Sequence, residues 1–184
     1  MNVWRSLFNA IRHGPVTVPL PPPEDTDIDA IAARLKAAAY RRLGRGLAIR
    51  HIDSGSCNGC ELEIQMLSGI VYDLERFGLR FVASPRHADA LLVTGPVTRN
   101  MHEALVQTWS ATPDPKWVVA LGDCAIDGGV FKGSPAITGG IDAAIPVDVV
   151  IRGCPPTPSM ILAALCALVE ANARPALRSR RDRG

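Results

Sequence analysis

Residues 47–60 read LAIRHIDSGSCNGC: a short apolar run, a turn of glycine and serine, then two cysteines three positions apart. Taken as a strand over 47–52 that opens into a tight loop, this stretch sets a pattern for the rest of the chain. Apolar run, glycine and cysteine recur in WVVALGDC (117–124) and in VDVVIRGC (147–154). Further strands are expected at 79–83 and 90–94, with helices at about 60–76, 100–110 and 158–172. In the last of these Thr157 can cap and Pro158 suits the first helical position. Strand, crossover helix and strand in alternation predict an α/β fold, a parallel sheet with helices on both faces. The glycine-rich stretch 122–146 reads as an irregular functional loop.

The strand pattern has a chemical consequence. In an open parallel sheet the loops that follow the strands share one edge, and ligands bind there. Cys57 and Cys60, Cys124 and Cys154 each follow a predicted strand, so three distant loops deliver four thiols to one edge. The chain has five cysteines. An odd number in a reducing compartment argues against a disulfide framework. One close pair and two singletons, with 63 and 29 residues between, is not the knuckle pattern of a structural zinc site. A [4Fe–4S] cluster takes four thiolates and suits ligands spread over several loops. Glycines beside every candidate (Gly55, Gly59, Gly122, Gly128, Gly129, Gly153) let backbone approach the sulfurs. Iron–sulfur, zinc and uncomplexed thiols all stay open on this pattern. Cys57-x-x-Cys60 alone also fits a redox pair, which leaves Cys124 and Cys154 unexplained. Neither G-x-G-x-x-G nor the Walker pattern is present. Cys166, in an apolar helical run, reads as a core residue.

Outside this region the chain changes character. Residues 2–13 (NVWRSLFNAIRH) place Trp4, Leu7, Phe8 and Ile11 on one helical face. A proline-rich linker follows, then a second amphipathic helix over 27–43 stopped by Gly44. Residues 1–50 carry a net +4 and residues 174–184 also +4, whereas 51–173 carry −6. An acidic body with two basic arms speaks against a nucleic-acid-binding core. The arms read either as solvated tails or as contacts to an acidic partner or to anionic lipid. With 184 residues, 47% hydrophobic and 21% charged, the chain is an ordinary globular one. Its longest apolar run, 160–169, is too short to span a bilayer. No continuous apolar segment resembling a secretory signal opens the chain, and Arg41-Arg42 precedes residues too polar for a twin-arginine signal. A cytoplasmic location is expected.

The stretches GSCNGCELEI (55–64), SPRHADALLVTGPVTRNM (84–101), PDPKWVVALGDCA (113–125) and GGIDAAIPVDVVIRGCPPTPSMIL (139–162) resemble a known family. It is the small electron-transfer subunit shared by complex I, where it is the 20 kDa (B-type) chain, and the group 4 membrane-bound [NiFe] hydrogenases. The resemblance covers about residues 47–165. It implies a flavodoxin-like domain carrying one [4Fe–4S] cluster on Cys57, Cys60, Cys124 and Cys154, next to the active site of a large subunit. The spacing Cys57-Asn58-Gly59-Cys60 is as in the hydrogenase branch, whereas complex I subunits typically have adjacent cysteines. The whole pattern is most similar to formate hydrogenlyase and related energy-converting hydrogenases, without the longer C-terminal extension of some of them. Arg152 stands where the family often has proline. The alternative is a complex I-like (NADH-quinone oxidoreductase) or nickel-free relay to quinone.

On this resemblance the expected partners are a hydrogenase-type large subunit, a ferredoxin-like iron–sulfur subunit and membrane-arm subunits, with the chain peripheral on the cytoplasmic side of the inner membrane. The expected organisation is an arm, linker and helix over 1–44, the iron–sulfur domain over 45–173 and a basic tail over 174–184. Glu61 and Glu63 read as surface carboxylates, with a proton path or subunit contact as the alternative. Asp123 and Asp127 are placed to lower the cluster potential. His51 and His87 read as hydrogen-bonded structural residues.

Overall fold

A computed structural model of the chain describes residues 28–172. The amphipathic segment 2–13, the proline-rich linker and the tail 174–184 lie outside the described residues. The elements in order are α1 (Ile28–Leu43), β1 (Ala48–Asp53), α2 (Gly59–Leu67), β2 (Arg80–Phe81), β3 (Ala90–Thr94), β4 (Val97–Thr98), α3 (Arg99–Ala111), β5 (Trp117–Leu121), α4 (Asp123–Asp127), β6 (Ile137–Gly139), β7 (Val149–Ile151) and α5 (Pro158–Asn172).

Five strands form one parallel sheet in the order β2-β1-β3-β5-β7. Counted along the sheet this is the flavodoxin-like order, whose switch point lies between β1 and β3. The central strands are buried on both faces, so they read as continuous apolar runs. Ile49, Leu92, Val119 and Leu121 face α1, α2 and α5 through Leu35, Ile64, Leu67, Ile161 and Leu165. Leu91, Val93, Val118 and Ala120 face the other way, toward Leu105 of α3 and Ala125 of α4. Full burial of each such side chain contributes about 1.5–3 kcal/mol.

The edge opposite the cysteine loops is tied by Asp89. Its carboxylate accepts the Ala48 N–H at 2.9 Å and a two-pronged bond from Arg45 at 2.7 and 2.8 Å. Helix α1 lies on α5, where Arg34 grips Glu170 at 2.8 and 3.1 Å. Its first turn is fixed by Asp29 to Arg76 at 2.7 Å. Gly44, at φ +72°, ends the helix as expected. Thr157 caps α5, accepting the Met160 N–H at 3.4 Å.

Three expectations need correction. The helix expected over 60–76 stops at Leu67, where Ser68 and Gly69 tighten the last turn through bonds to Gln65 and Met66. Polar Ser68 and flexible Gly69 favour a turn there, and the periodicity beyond them belongs to a 3₁₀ turn at Leu74–Phe77. The strand expected over 79–83 shortens to Arg80–Phe81, since β1 offers it only two paired positions. The stretch 122–146 is not structureless: it holds α4, two 3₁₀ turns and β6, which pairs antiparallel with β4. No helix among the described residues is long and apolar enough to cross a membrane.

Candidate metal centre

The four expected residues meet. Cys57, Cys60, Cys124 and Cys154 line one cavity of ≈ 60 Å³ at the edge where the strands end. That is several times the roughly 10–15 Å³ needed by one water. Three loops build it, each pinned by its own backbone chemistry.

The first leaves β1. Asp53 Oδ1 accepts the N–H groups of Gly55 and Ser56, both at 2.7 Å, and folds the chain back. The buried Ser54 hydroxyl shares its donor between the carbonyls of Thr94 at 2.7 Å and Gly95 at 2.9 Å. The Ser54 carbonyl in turn accepts the Thr98 N–H and hydroxyl, both at 2.9 Å. The loop after β1 is thus fastened to the loop after β3, across the switch point. Asn58 turns in the left-handed region at φ 71°, which asparagine tolerates, and α2 starts at Gly59 with Cys60 in its first turn.

The second loop leaves β5 through Gly122. A Cβ there would stand 2.7 Å from the Cys60 sulfur, and one at Gly129 would stand 2.8 Å from the Cys124 sulfur. Both glycines have positive φ. The turn at Gly128-Gly129 lets the Val130 N–H bond the Cys124 sulfur. The third loop leaves β7 through Gly153 and is bonded back to Asp123.

Burial is uneven. Cys57 and Cys154 are exposed at the mouth, Cys60 is half-buried and Cys124 is buried. Burial first, then the charge of Glu61 and the other three cysteines, pushes the Cys60 thiol up to about 12. Burial also raises Cys124, against the bond from Val130. A cationic group is needed before these sulfurs can be thiolates together. Among the described residues no group of three or more His, Cys, Asp or Glu side chains is arranged to hold a metal ion. Four thiols around a cavity, with bare backbone against two of the sulfurs, fit a sulfur-ligated group larger than one ion.

The flanking residues divide. Cys166 lies in the core, hydrogen-bonded to Glu170 and away from the cavity, as expected. His51 Nε2 lies 3.0 Å from the Thr94 hydroxyl, as expected of a structural histidine, and burial lowers its pKa. His87 is exposed, and its ring makes no hydrogen bond among the described residues, contrary to expectation. Its 3₁₀ turn at Pro85–His87 holds it outside both cores. Glu61 is also not a surface residue. It is 8% exposed, neither carboxylate oxygen has a hydrogen-bond partner, and the His51 ring lies 3.7 Å from Oε1. Its place in the first turn of α2 points it inward, while Glu63 stays half-buried. The reading from sequence missed Asp53 and Ser54 as loop anchors, although Asp-x-Gly is a recognisable turn signal.

The chain is similar to several known proteins. Residues 57–168 match the family described as NADH ubiquinone oxidoreductase, 20 kDa subunit. The chain is 43% identical over 140 residues to formate hydrogenlyase subunit 7 of Escherichia coli K12, covering 76% of this chain and 55% of that one. It is 51% identical over 120 residues to a probable membrane-bound hydrogenase subunit of Pyrococcus furiosus, covering 65% and 72%. It is 45% identical over 109 residues to an NADH-quinone oxidoreductase subunit of Citrifermentans bemidjiense, covering 59% and 64%. The chain thus spans little more than half the length of the E. coli relative. Among solved structures, a chain of the archaeal membrane-bound sulfane sulfur reductase superposes with TM-score 0.63 at 35% identity, covering 76% of each. A chain of an NAD⁺-reducing [NiFe]-hydrogenase superposes with TM-score 0.55 at 21% identity, over 74% of this chain and 97% of that one, and shares the fold.

Proposed function

The chain belongs to the family of the 20 kDa subunit of NADH ubiquinone oxidoreductase, and on that footing we propose that it is an electron-transfer subunit holding one [4Fe–4S] cluster on Cys57, Cys60, Cys124 and Cys154. The complex it serves is a membrane-associated, energy-converting [NiFe] hydrogenase or formate hydrogenlyase. The observation that carries this reading is the meeting of four thiols from three loops at one cavity. Its relatives are named as subunits of hydrogenase and NADH-quinone oxidoreductase complexes.

When bound, such a cluster supplies one-electron transfer at a potential set by burial, N–H···S bonds and nearby charge. The chain's own residues provide those settings. The Val130 N–H favours charge on the Cys124 sulfur, while Asp123 at the cavity wall opposes added electrons. Nickel ligands are not expected on this chain. The catalytic site, whether Ni–Fe or quinone, lies on the partner large subunit.

A partner covering the cluster edge accounts for the surface around α2. Leu62 and Met66 leave large apolar side chains in water along the helix that starts from the cysteine loop, and the exposed Val71 and 98% exposed Ile70 follow beyond its far end. We place the ferredoxin-like subunit and the membrane arm beyond that large subunit, with this chain peripheral and cytoplasmic. The organisation proposed is an arm and helix over 1–44, the cluster domain over 45–173 and a basic tail over 174–184.

The test is metal content. Anaerobically purified full-length protein is expected to hold four irons and four sulfides, with an EPR signal on reduction. Stoichiometric zinc without iron would overturn the reading. The second reading, a complex I-like relay to quinone, has the 45% identity to an NADH-quinone oxidoreductase chain in its favour. Nickel in the assembled complex, with hydrogen evolved from a low-potential donor, selects the first; electrons passed to quinone without nickel select the second.

A further inference from the structure

One side chain joins two of the cysteine loops. The β5–β7 ladder continues past both strand ends: the Gly122 N–H donates to the Ile151 carbonyl at 2.8 Å, and the Asp123 N–H donates to the Gly153 carbonyl at 3.0 Å. The Asp123 side chain closes the ring, its Oδ1 accepting the Gly153 N–H at 3.1 Å. The next residue on each side is a cysteine, Cys124 and Cys154.

The third loop has little else to hold it. Pro155 and Pro156 have no N–H to offer. Gly153 sits at φ +140°, where a Cβ would stand 2.6 Å from Pro156, so no side chain can anchor that position from within. Asp53 and Asp127 make comparable bonds, but each stays inside its own loop, to Gly55 and Ser56 and to Gly129. Asp123 is the aspartate of these three that spans two loops.

Resting on the iron–sulfur reading above, we propose that Asp123 is a positioning residue for the cluster: its carboxylate locks the Cys154 loop to the Cys124 loop and thereby fixes the separation of two of the four sulfurs. Without it the Gly153 N–H has no partner, and the two loops keep only the backbone bonds from Gly122 to Ile151 and from Asp123 to Gly153, which leave the Gly153–Cys154 turn freer before the cluster arrives. Because Asp123 also lines the cavity, its charge opposes the added electron. Geometry and charge can be separated. Asp123→Asn keeps an oxygen for the Gly153 N–H and loses the charge; Asp123→Ala loses both.

The experiment compares full-length wild type, Asp123→Asn and Asp123→Ala, purified anaerobically, by iron content, chelator challenge, EPR and potentiometric titration. Asp123→Ala is expected to hold iron roughly 10–100-fold less well against a chelator, with altered g-values in what remains. Asp123→Asn is expected to keep wild-type iron and line shape and to titrate at a higher midpoint potential. Wild-type retention and line shape in Asp123→Ala would overturn the proposal, as would iron loss in Asp123→Asn equal to that of Asp123→Ala. If Asp123→Ala fails to fold, as circular dichroism would report, Asp123→Asn decides alone: retained iron with a raised potential supports the proposal, and lost iron overturns it. A wild-type chain without iron would instead bring down the iron–sulfur reading, and this proposal with it.

Discussion

Cys60 shows why the centre depends on residues that bear no ligand. Burial and Glu61 hold its thiol protonated, and Gly122 must stay bare for its sulfur to fit. Gly122→Ala therefore brings a methyl 2.7 Å from that sulfur at a φ of +88°, and cluster content is expected to fall although no ligand has changed. Iron analysis beside a thermal melt distinguishes this from simple unfolding. Cys124→Ala and Cys154→Ala are each expected to lose or degrade the cluster, whereas Cys166→Ala should keep it, because Cys166 lies in the core among α1 and α5 residues. Equal iron loss from Cys166→Ala and Cys124→Ala would contradict this division. Glu61 marks the limit of reading residues singly. A carboxylate next to a loop looks like surface until the helix phase turns it inward.

Helices α1 and α5 show how packing and polar contacts differ in weight. Leu35 is fully buried between them, and Leu35→Ala is expected to cost about 2–5 kcal/mol. Arg34 is largely exposed, so Arg34→Ala should leave the thermal midpoint nearly unchanged despite its two bonds to Glu170. The same contact gives a pH dependence. The hydrogen bond from Arg34 holds Glu170 below its ordinary value of 4.5. Its stabilisation is therefore present above pH 4.5 and is lost as pH falls through the lower folded-state value. Because the pair is exposed, only a small fall in the protection of α1 amides, relative to their intrinsic exchange, is expected at that low pH in wild type, and Glu170→Gln should remove it. A fall that survives in Glu170→Gln would assign it elsewhere. Element boundaries follow the same logic: α3, β3 and β5 were legible because their periodicity is long or their burial two-sided, while β2 shrank because its partner offers few positions.

For the whole molecule, assembly is the decisive condition. If a large subunit covers the cluster edge, segments 122–146 and 153–158 are expected to exchange hydrogen more slowly in the complex than in the free chain. Equal protection in both states would reject that interface. Deleting residues 1–23 is expected to weaken membrane attachment and leave iron content unchanged; unchanged co-purification with membrane subunits would count against a role for the arm there. The amino-acid sequence by itself determined the parallel α/β architecture, because two-sided burial writes continuous apolar runs and strand ends write glycine. It also determined which four cysteines share an edge, because loops after parallel strands have no other place to go. Only the tertiary structure decided how those loops hold one another. The Asp123–Gly153 clasp, the Ser54 splice to Thr94 and Gly95, and the inward turn of Glu61 join residues 30 to 41 positions apart or depend on helix phase. No local pattern encodes such contacts, since they exist only once the sheet has set its register.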